Sequence, residues 1–476
     1  MHHELKKNTV VSILSLFFQS GYSAVLGLVA NLILTIVMPT KTFGIYILTL
    51  SIISFLNYFS DIGLAASLVQ KKEITDDDVK TTFTVQQILI LTLITLGYLL
   101  TPRIRGIYNL PANAISLYWA LLAAFFFSSL KTIPSIFLER KVQFQKIVLV
   151  QVVENTLFYI VVSILALMRF DLQSFTIAVL VRSISGTALM YYLSFWKPRI
   201  GISGASLRKL LSFGLPFQTN TLLALVKDDL ITLFLGSILG LEALGFIGWA
   251  KRWAEAPIRI IMDNVNRILF PIFSRLQHDK EKVGHLIEKI LYNQTLLLAP
   301  IYVGALLLMH EVVLLIPKYS KWEPALPIFY LICISAFLSS FSTPFINVFN
   351  ALGKVKISFL FMIYWTTMTW ILVPTLSNSY GMLGFPMTLV FLSLTFVVIG
   401  IVAGRLIPFS PWQQVAPPIL SSLVMGVVIY TLMHVLTGTS YLNLLIYVLA
   451  GGVTYLMMLY TVFRRNVVHE IVSLLK

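Results

Sequence analysis

Apolar runs long enough to cross a lipid bilayer recur along the whole chain, from residues 10–37 to 441–462. Because a bilayer offers no partners to backbone N–H and C=O groups, such runs must satisfy these groups internally, as only helices and closed barrels do. With 58% hydrophobic and 12% charged residues, the sequence predicts an all-α polytopic membrane protein with about 14 transmembrane helices. The first run is too long for a signal-peptide core, so we expect it to be retained.

Most Lys and Arg residues outside the apolar runs fall in the two termini and the even-numbered loops. Short loops rich in Lys and Arg stay on the cytoplasmic side of a membrane. The pattern predicts a multi-pass protein of the cytoplasmic (inner) membrane of a bacterium, with both termini cytoplasmic. It also explains the net charge of +15 by membrane topology, and we expect no nucleic-acid partner.

A weak internal repeat relates two parts of the chain. TFGIYILTL at 42–50 leads to SDIG and a charged turn, and ALGFIGWAK at 243–251 leads to MDNVNR and a second charged turn. The copies lie about 201 residues apart, which indicates a parallel repeat of two six-helix lobes. The predicted domains are an N-terminal lobe over 1–200, a C-terminal lobe over 201–404 and two additional helices over 405–476.

The stretch KRWAEAPIRIIMDNVNR, residues 251–267, places four cations and two carboxylates inside an apolar hairpin. Five of the six recur every four residues with alternating sign and would form an ion-pair ladder along one helix edge: Lys251, Glu255, Arg259, Asp263 and Arg267. An unpaired charge at mid-membrane costs about 2.5–3.5 kcal/mol, so we expect this edge to face a water-filled, cation-rich cavity. In the alternative interpretation, the crossing ends near Trp249 and the charged segment lies flat in the interface as an amphipathic helix.

Other ionisable residues lie inside predicted crossings: Asp61, Lys131, Glu154, Arg182, Lys227, Asp228 and Asp229. Intramembrane charges mark substrate or ion pathways, although each can also form a structural pair between helices. Cations would hold an anion, and carboxylates would bind and release a coupling proton or sodium ion.

The sequence contains no GxxxxGK[ST] motif. No P-loop is therefore available for ATP hydrolysis, and active transport must draw on an ion gradient or on the substrate's own gradient. The acidic run at 76–78 follows Thr75 with Asp78 in capping-box spacing, which predicts a helix start rather than a metal site. A single Cys333 and scattered His residues supply no metal-ligand set. We expect no cofactor, no bound metal and no catalytic residue.

Two regions resemble Wzx-type oligosaccharide flippases of the O-antigen, colanic acid and teichuronic acid type. The first is TFGIYILTLSIISFLNYFSDIGLAASLVQKKEITDDDVKTTF, residues 42–83, which is similar to the second-helix region of these proteins. The second comprises LGSILGLEALGFIGWAKRWAEAPIRI and RILFPIFSRLQHDKEKV, residues 235–260 and 267–283, which resemble the corresponding region of the second lobe. These flippases form the polysaccharide transporter family of the multidrug/oligosaccharidyl-lipid/polysaccharide (MOP) exporter superfamily.

The resemblance implies a V-shaped fold of two lobes around a central cavity that opens alternately to each side. It implies ion-coupled translocation of an undecaprenyl-diphosphate-linked oligosaccharide to the outer leaflet, with a proton or sodium as coupling ion. The other partners it implies are membrane lipids and a polysaccharide polymerase complex.

A diphosphate requires cations in a desolvated groove, and Arg presents a bidentate fork to phosphate oxygens. The cations expected to line the cavity for phosphate and glycan are Lys251, Arg252, Arg259, Arg267, Arg182, Lys227 and Lys131. The carboxylates expected to take part in ion coupling are Asp228, Asp229, Asp61, Glu154, Glu255 and Asp263.

Three alternative functions stay open on the sequence. A lipid II flippase of the MurJ type shares the fold and number of crossings, but its first-helix and inter-lobe patterns are not recognisable here. A drug or cation exporter of the same superfamily would favour twelve crossings and a cavity led by carboxylates and aromatic residues. A membrane glycan ligase or polymerase would need a large extracytoplasmic loop, and the longest predicted one, 310–327, is short.

Overall fold

The computed structural model describes residues 2–436 and 438–463, with side chains for all of these except 2–14, 17, 216, 217, 219–221, 223, 224, 263–268, 270 and 271. Every regular element in this part of the chain is a helix. This confirms the predicted all-α fold class, and it follows from the requirement that apolar segments satisfy their own backbone hydrogen bonds in lipid.

The described residues form eighteen α-helices. The first ten are α1 (His2–Val37), α2 (Thr40–Tyr58), α3 (Leu64–Gln70), α4 (Asp76–Leu99), α5 (Thr101–Tyr108), α6 (Ala112–Leu130), α7 (Thr132–Arg140), α8 (Phe144–Leu167), α9 (Leu172–Leu193) and α10 (Gly204–Leu276). The others are α11 (Lys280–Leu315), α12 (Leu326–Ser340), α13 (Ser342–Ala351), α14 (Val355–Tyr380), α15 (Gly384–Ser393), α16 (Thr395–Gly404), α17 (Pro411–Val435) and α18 (Tyr441–Thr461).

Twelve helical segments of the described chain are long and apolar enough to cross a membrane. Two of them, Leu225–Met262 and Val355–Gly404, have 38 and 50 residues, about twice the length that one crossing needs. Each contains a break: Gly240 lies in the left-handed region at φ 82°, and a 3-10 helix at Gly381–Leu383 separates α14 from α15. Divided at these breaks, the segments correspond to the fourteen predicted crossings.

Backbone contacts divide the chain into two compact units, Met1–Gly248 and Trp249–Lys476. The boundary falls inside α10. The three-part division at 200 and 404 rests on the internal repeat and remains a prediction.

Close packing of α2 against α10 within the first unit depends on glycine. A Cβ on Gly44 would overlap the carbonyl oxygen of Leu241, and a Cβ on Gly245 would overlap the carbonyl oxygen of Thr40. The two glycines, like the two carbonyl groups, are related by the repeat offset of about 201 positions. The two copies of the repeat therefore make the same contact in reciprocal form, as small residues allow in membrane helices.

The seam between α2 and α10 continues toward the start of α10. The Tyr58 hydroxyl donates to the Gln218 carbonyl at 2.8 Å, and the Gln218 side-chain amide donates to the Tyr58 carbonyl at 2.7 Å. Beyond them, Gly63 and Gly214 pack backbone to backbone with no space for a Cβ on either. This seam positions the charged residues of the seventh predicted crossing.

A buried aromatic cluster holds α10 at the start of the second unit. Trp249 stacks on Trp322 with ring centroids 5.4 Å apart, and its indole N–H donates to the Tyr319 hydroxyl at 3.0 Å. Further along, the Tyr302 hydroxyl of α11 donates to the Ala254 carbonyl at 2.9 Å. These contacts fix the rotation of α10 about its axis, so that Ala254 is buried and other faces carry the charged side chains.

Replacing Gly44 by Ala is expected to destabilise the protein by about 1–3 kcal/mol, because overpacking against a backbone carbonyl cannot be relieved by a side-chain rotation. The melting temperature of the detergent-solubilised protein, followed by size-exclusion chromatography, measures the effect. Gly452→Ala in α18 is the matched control, since a Cβ there meets no atom within 4 Å. Equal melting temperatures for the two variants would contradict the close contact at Gly44.

Candidate functional site

The first three rungs of the predicted charge ladder are present on α10. The Glu255 carboxylate accepts a hydrogen bond from Arg259 Nη2 at 2.8 Å, and its other oxygen lies 3.9 Å from Lys251 Nζ. Glu255 is the most sheltered of the three, with a side chain 25% exposed against 64% for Arg259. Arg252 is also exposed. One carboxylate thus stands among three cations, and this edge of the helix carries net positive charge.

The other two residues of the predicted ladder, Asp263 and Arg267, lie in the range 263–268, whose side chains are outside the described part of the structure. The backbone of α10 nevertheless runs from Gly240 to Leu276 without a further non-helical residue. The helix therefore continues past Trp249 without a break, and both interpretations of the charged segment remain predictions. On the apolar side of this helix, Ala254 and Leu269 are buried.

Lys131 and Glu154 form an ion pair between the turn before α7 and the middle of α8. Their side chains are only 17% and 8% exposed. The Glu154 carboxylate also packs against Gly186 of α9, where a Cβ would overlap it. A pair this well buried is costly to break, because either charge alone would be left in a low-dielectric site. The two residues, expected separately among the cavity cations and the coupling carboxylates, are direct partners.

A cavity of about 620 Å³ adjoins this ion pair within the first unit. Its polar lining includes Gln70, Lys131, Glu139, Gln151 and Glu154, and its apolar lining includes Ile136, Ile147 and Met190. The Gln19 side-chain amide donates to Gln151 at 2.5 Å, and Ser135 donates to Glu139 at 3.1 Å. Gln70, Glu139 and Gln151 could not be predicted from the sequence as cavity residues, because polarity alone does not tell which helices share a cavity.

The three adjacent charges of the seventh predicted crossing separate as the helical geometry requires. Lys227 Nζ lies 3.4 Å from Asp228, whose side chain is more than half exposed. Asp229 instead turns toward α2, where the Ser54 hydroxyl donates to its carboxylate at 3.0 Å. Asp229 is thereby attached to the seam between α2 and α10, and Asp228 is the more accessible carboxylate.

Asp61 and Arg182 have local roles in the first unit. The Asp61 carboxylate accepts the backbone N–H of Ala65 at 3.0 Å and 3.1 Å, and so closes the turn between α2 and α3. The Arg182 guanidinium is exposed and lies over the ring of Phe158, 5.7 Å from its centroid. Such a contact orients a guanidinium while leaving its N–H donors available.

The acidic run at 76–78 forms a helix start. Thr75 and Asp78 form the predicted capping box at the beginning of α4, and Asp78 also pairs with Lys71 at 2.5 Å. No group of three or more His, Cys, Asp or Glu that could hold a metal ion occurs among the described residues.

The family model for "Polysaccharide biosynthesis protein" matches residues 33–327, and the chain belongs to this family. Lipopolysaccharide biosynthesis protein WzxC of Escherichia coli (strain K12) is 27% identical over 343 residues, covering 72% of this chain and 69% of WzxC. Teichuronic acid biosynthesis protein TuaB of Bacillus subtilis (strain 168) is 22% identical over 421 residues, covering 84% of both chains.

A solved structure of the lipid II flippase MurJ, in an inward closed conformation, has the same fold. The TM-score is 0.77 at 16% sequence identity, covering 96% of this chain and 99% of MurJ. At this identity the likeness shows the fold alone. Family and fold together describe a multi-pass membrane protein of polysaccharide biosynthesis, and its fold is also that of a multidrug resistance MATE transporter of the MOP superfamily, with a TM-score of 0.62 at 14% identity.

The variants Lys131→Met and Glu154→Met are each expected to lower the free energy of unfolding by about 3–5 kcal/mol, because each leaves a buried charge without its partner. The double variant should lose less than the sum of the two, since no charge stays behind. Denaturation of the four proteins gives the coupling energy. The exposed Lys282–Asp279 pair, with atoms 2.9 Å apart, is the control and should give about 0.2–1 kcal/mol. A Lys131–Glu154 coupling no larger than that would contradict a buried pair.

Proposed function

We propose that this protein is a flippase that carries an undecaprenyl-diphosphate-linked oligosaccharide across the cytoplasmic membrane for surface polysaccharide biosynthesis. The observation that carries the proposal is the exposed, net-positive edge of α10 in a chain of this family. Two relatives bear names from lipopolysaccharide and teichuronic acid biosynthesis. Both termini are proposed to be cytoplasmic, from the distribution of Lys and Arg.

The cations of α10 are suited to the diphosphate. Arg259 uses Nη2 to bind Glu255, which orients the guanidinium and leaves other N–H donors for phosphate oxygens. Arg binds phosphate through paired, charge-assisted hydrogen bonds, whereas Lys acts as a point charge. Lys251 shares Glu255 with Arg259 at a longer distance, so it can turn to the ligand at little cost. Arg252 is proposed to contact the outer phosphate or the sugars, and a role of Arg182 and Lys227 in substrate binding remains a prediction from the sequence.

The carboxylates are proposed to couple substrate movement to a proton or sodium gradient. Three of the described candidates have a side-chain partner that a bound cation would displace or replace: Lys131 for Glu154, Ser54 for Asp229 and Lys227 for Asp228. A coupling cation that replaced Lys131 at the Glu154 carboxylate would break the ion pair, so the pair is proposed to act as a two-state element. The protein is proposed to move its substrate without chemical conversion, and to pass it to a polysaccharide polymerase complex.

Deletion of the gene, followed by mass spectrometry of lipid-linked oligosaccharides, tests the proposed function. We expect one complete undecaprenyl-diphosphate-linked repeat unit to accumulate in the inner leaflet, with loss of the surface polymer. An unchanged lipid pool, or accumulation of an incomplete unit, would contradict the proposal.

Arg259→Ala is expected to abolish complementation of the deletion strain, while Arg259→Lys retains part of it, because Lys keeps the charge but not the bidentate fork. Surface polysaccharide measured at equal protein expression gives the result. Arg208→Ala, which removes an exposed arginine near the start of the same helix, is the matched control and should complement fully. Wild-type complementation by Arg259→Ala would show that phosphate binding does not depend on this residue.

A further inference from the structure

A second cavity, of about 580 Å³, lies where three loops of the first unit meet. Its walls come from the end of α7, the loop leading into α8, the end of α9 and Ile74 of the loop before α4. These loops are all even-numbered and are therefore predicted to be cytoplasmic. The cavity shares no residue with the charged edge of α10 or with the Lys131–Glu154 cavity, so a ligand bound in it does not depend on the proposed function.

Three basic side chains line this cavity: Arg140, Lys141 and Lys146. Arg140 is structural, since its guanidinium donates to the carbonyls of Leu68, Val69, Lys71 and Lys72 at 2.5–3.1 Å, at the end of α3. Lys141 and Lys146 have no carboxylate within 4.0 Å in the described part of the chain. Arg140 thus forms a fixed positive wall, and the two lysines are free to bind a ligand.

The carboxylates near this cavity pair with other basic residues or form no ion pair with Lys141 or Lys146. Asp76 pairs with Lys80 and Arg199, and Asp78 pairs with Lys71. Glu139, next to Arg140, lines the other cavity. Glu73 is exposed and forms no ion pair within the described residues. The cavity therefore keeps an uncompensated positive charge, which attracts an anion.

The rim of the cavity is apolar on one side. Phe195, which lines the cavity, is 81% exposed, and Tyr192 and Ile200 close to it in sequence are each 84% exposed. Exposed aromatic and aliphatic side chains beside basic residues are typical of the membrane interface, where lipid chains cover the former and headgroups meet the latter. A soluble anion would leave this apolar rim unused.

We propose that this cavity binds the phosphate of an anionic phospholipid of the adjacent leaflet. Lys141 and Lys146 hold the phosphate oxygens, the Arg140 wall adds charge, and Phe195 contacts the glycerol and the first acyl carbons. Gln143 precedes α8 without a capping hydrogen bond from its side chain, so the positive end of that helix dipole reinforces the same charge. Basic pockets between helices on the cytoplasmic side bind lipid headgroups by this chemistry.

Binding of a fluorescent short-chain phosphatidylglycerol to the full-length protein in neutral detergent, measured by anisotropy, tests the assignment. The double variant Lys141→Gln/Lys146→Gln is expected to weaken binding by about ten- to thirtyfold, and Lys141→Arg/Lys146→Arg to retain it. Lys72→Gln/Lys197→Gln is the matched control, since it removes the same charge from exposed residues outside the cavity lining, and should bind within about twofold of wild type.

Competition distinguishes the sources of the phosphate. We expect unlabelled phosphatidylglycerol to compete, and short-chain phosphatidylcholine and inorganic phosphate to compete at least about tenfold less well. Phe195→Ser should weaken lipid binding while leaving the weak competition by inorganic phosphate unchanged. The proposed site would be wrong if Lys141→Gln/Lys146→Gln bound phosphatidylglycerol with wild-type affinity. It would also be wrong if phosphatidylcholine competed as well as unlabelled phosphatidylglycerol. If inorganic phosphate competed as well as phosphatidylglycerol, the assignment of a phospholipid as the ligand would be wrong, and the cavity would be a site for a soluble anion.

Discussion

The structure depends on the pairing of charged side chains within its membrane-spanning helices. A charge in hydrocarbon must be paired or hydrated, and the two units meet this requirement in different ways. In the first unit, Lys131 and Glu154 neutralise each other almost out of contact with solvent. In the second, Glu255 holds Lys251 and Arg259 on one side of α10, and the charge does not balance. The first arrangement suits a structural or switching element, and the second leaves positive charge for an anionic ligand.

Packing contacts between helices determine where these charged side chains point. Trp249, Trp322 and Tyr302 fix the rotation of α10 in the second unit, and without that rotation the charged edge would have no defined direction. In the first unit, the reciprocal glycine contacts bring α2 close enough to α10 for Ser54 to reach Asp229. A helix register shifted by one residue would turn each of these groups by about 100°.

Much of the architecture could be predicted from the sequence because its causes are local or periodic. Apolar run length predicts the helices, the Thr75–Asp78 spacing predicts a capping box, and four-residue spacing predicts the ion pairs around Glu255. The partners of single charges could not be predicted in this way. Lys131 and Glu154 lie in different helices, and nothing in either segment shows that α9 provides Gly186 beside them. The same limit applies to Gly44 and Leu241, where a weak repeat indicates related segments but not that they touch.

The proposed transport mechanism requires that the charged edge of α10 faces water within the membrane region. Thiol accessibility tests this requirement most directly, in a Cys333→Ala background that removes the single native cysteine. A water-soluble, membrane-impermeant thiol reagent should label Arg252→Cys and Arg259→Cys from at least one side of the membrane, and should not label Ala254→Cys on the buried face. If Arg259→Cys proved as unreactive as Ala254→Cys from both sides, the edge would not face water, and the proposed binding of a lipid-linked diphosphate there would be wrong.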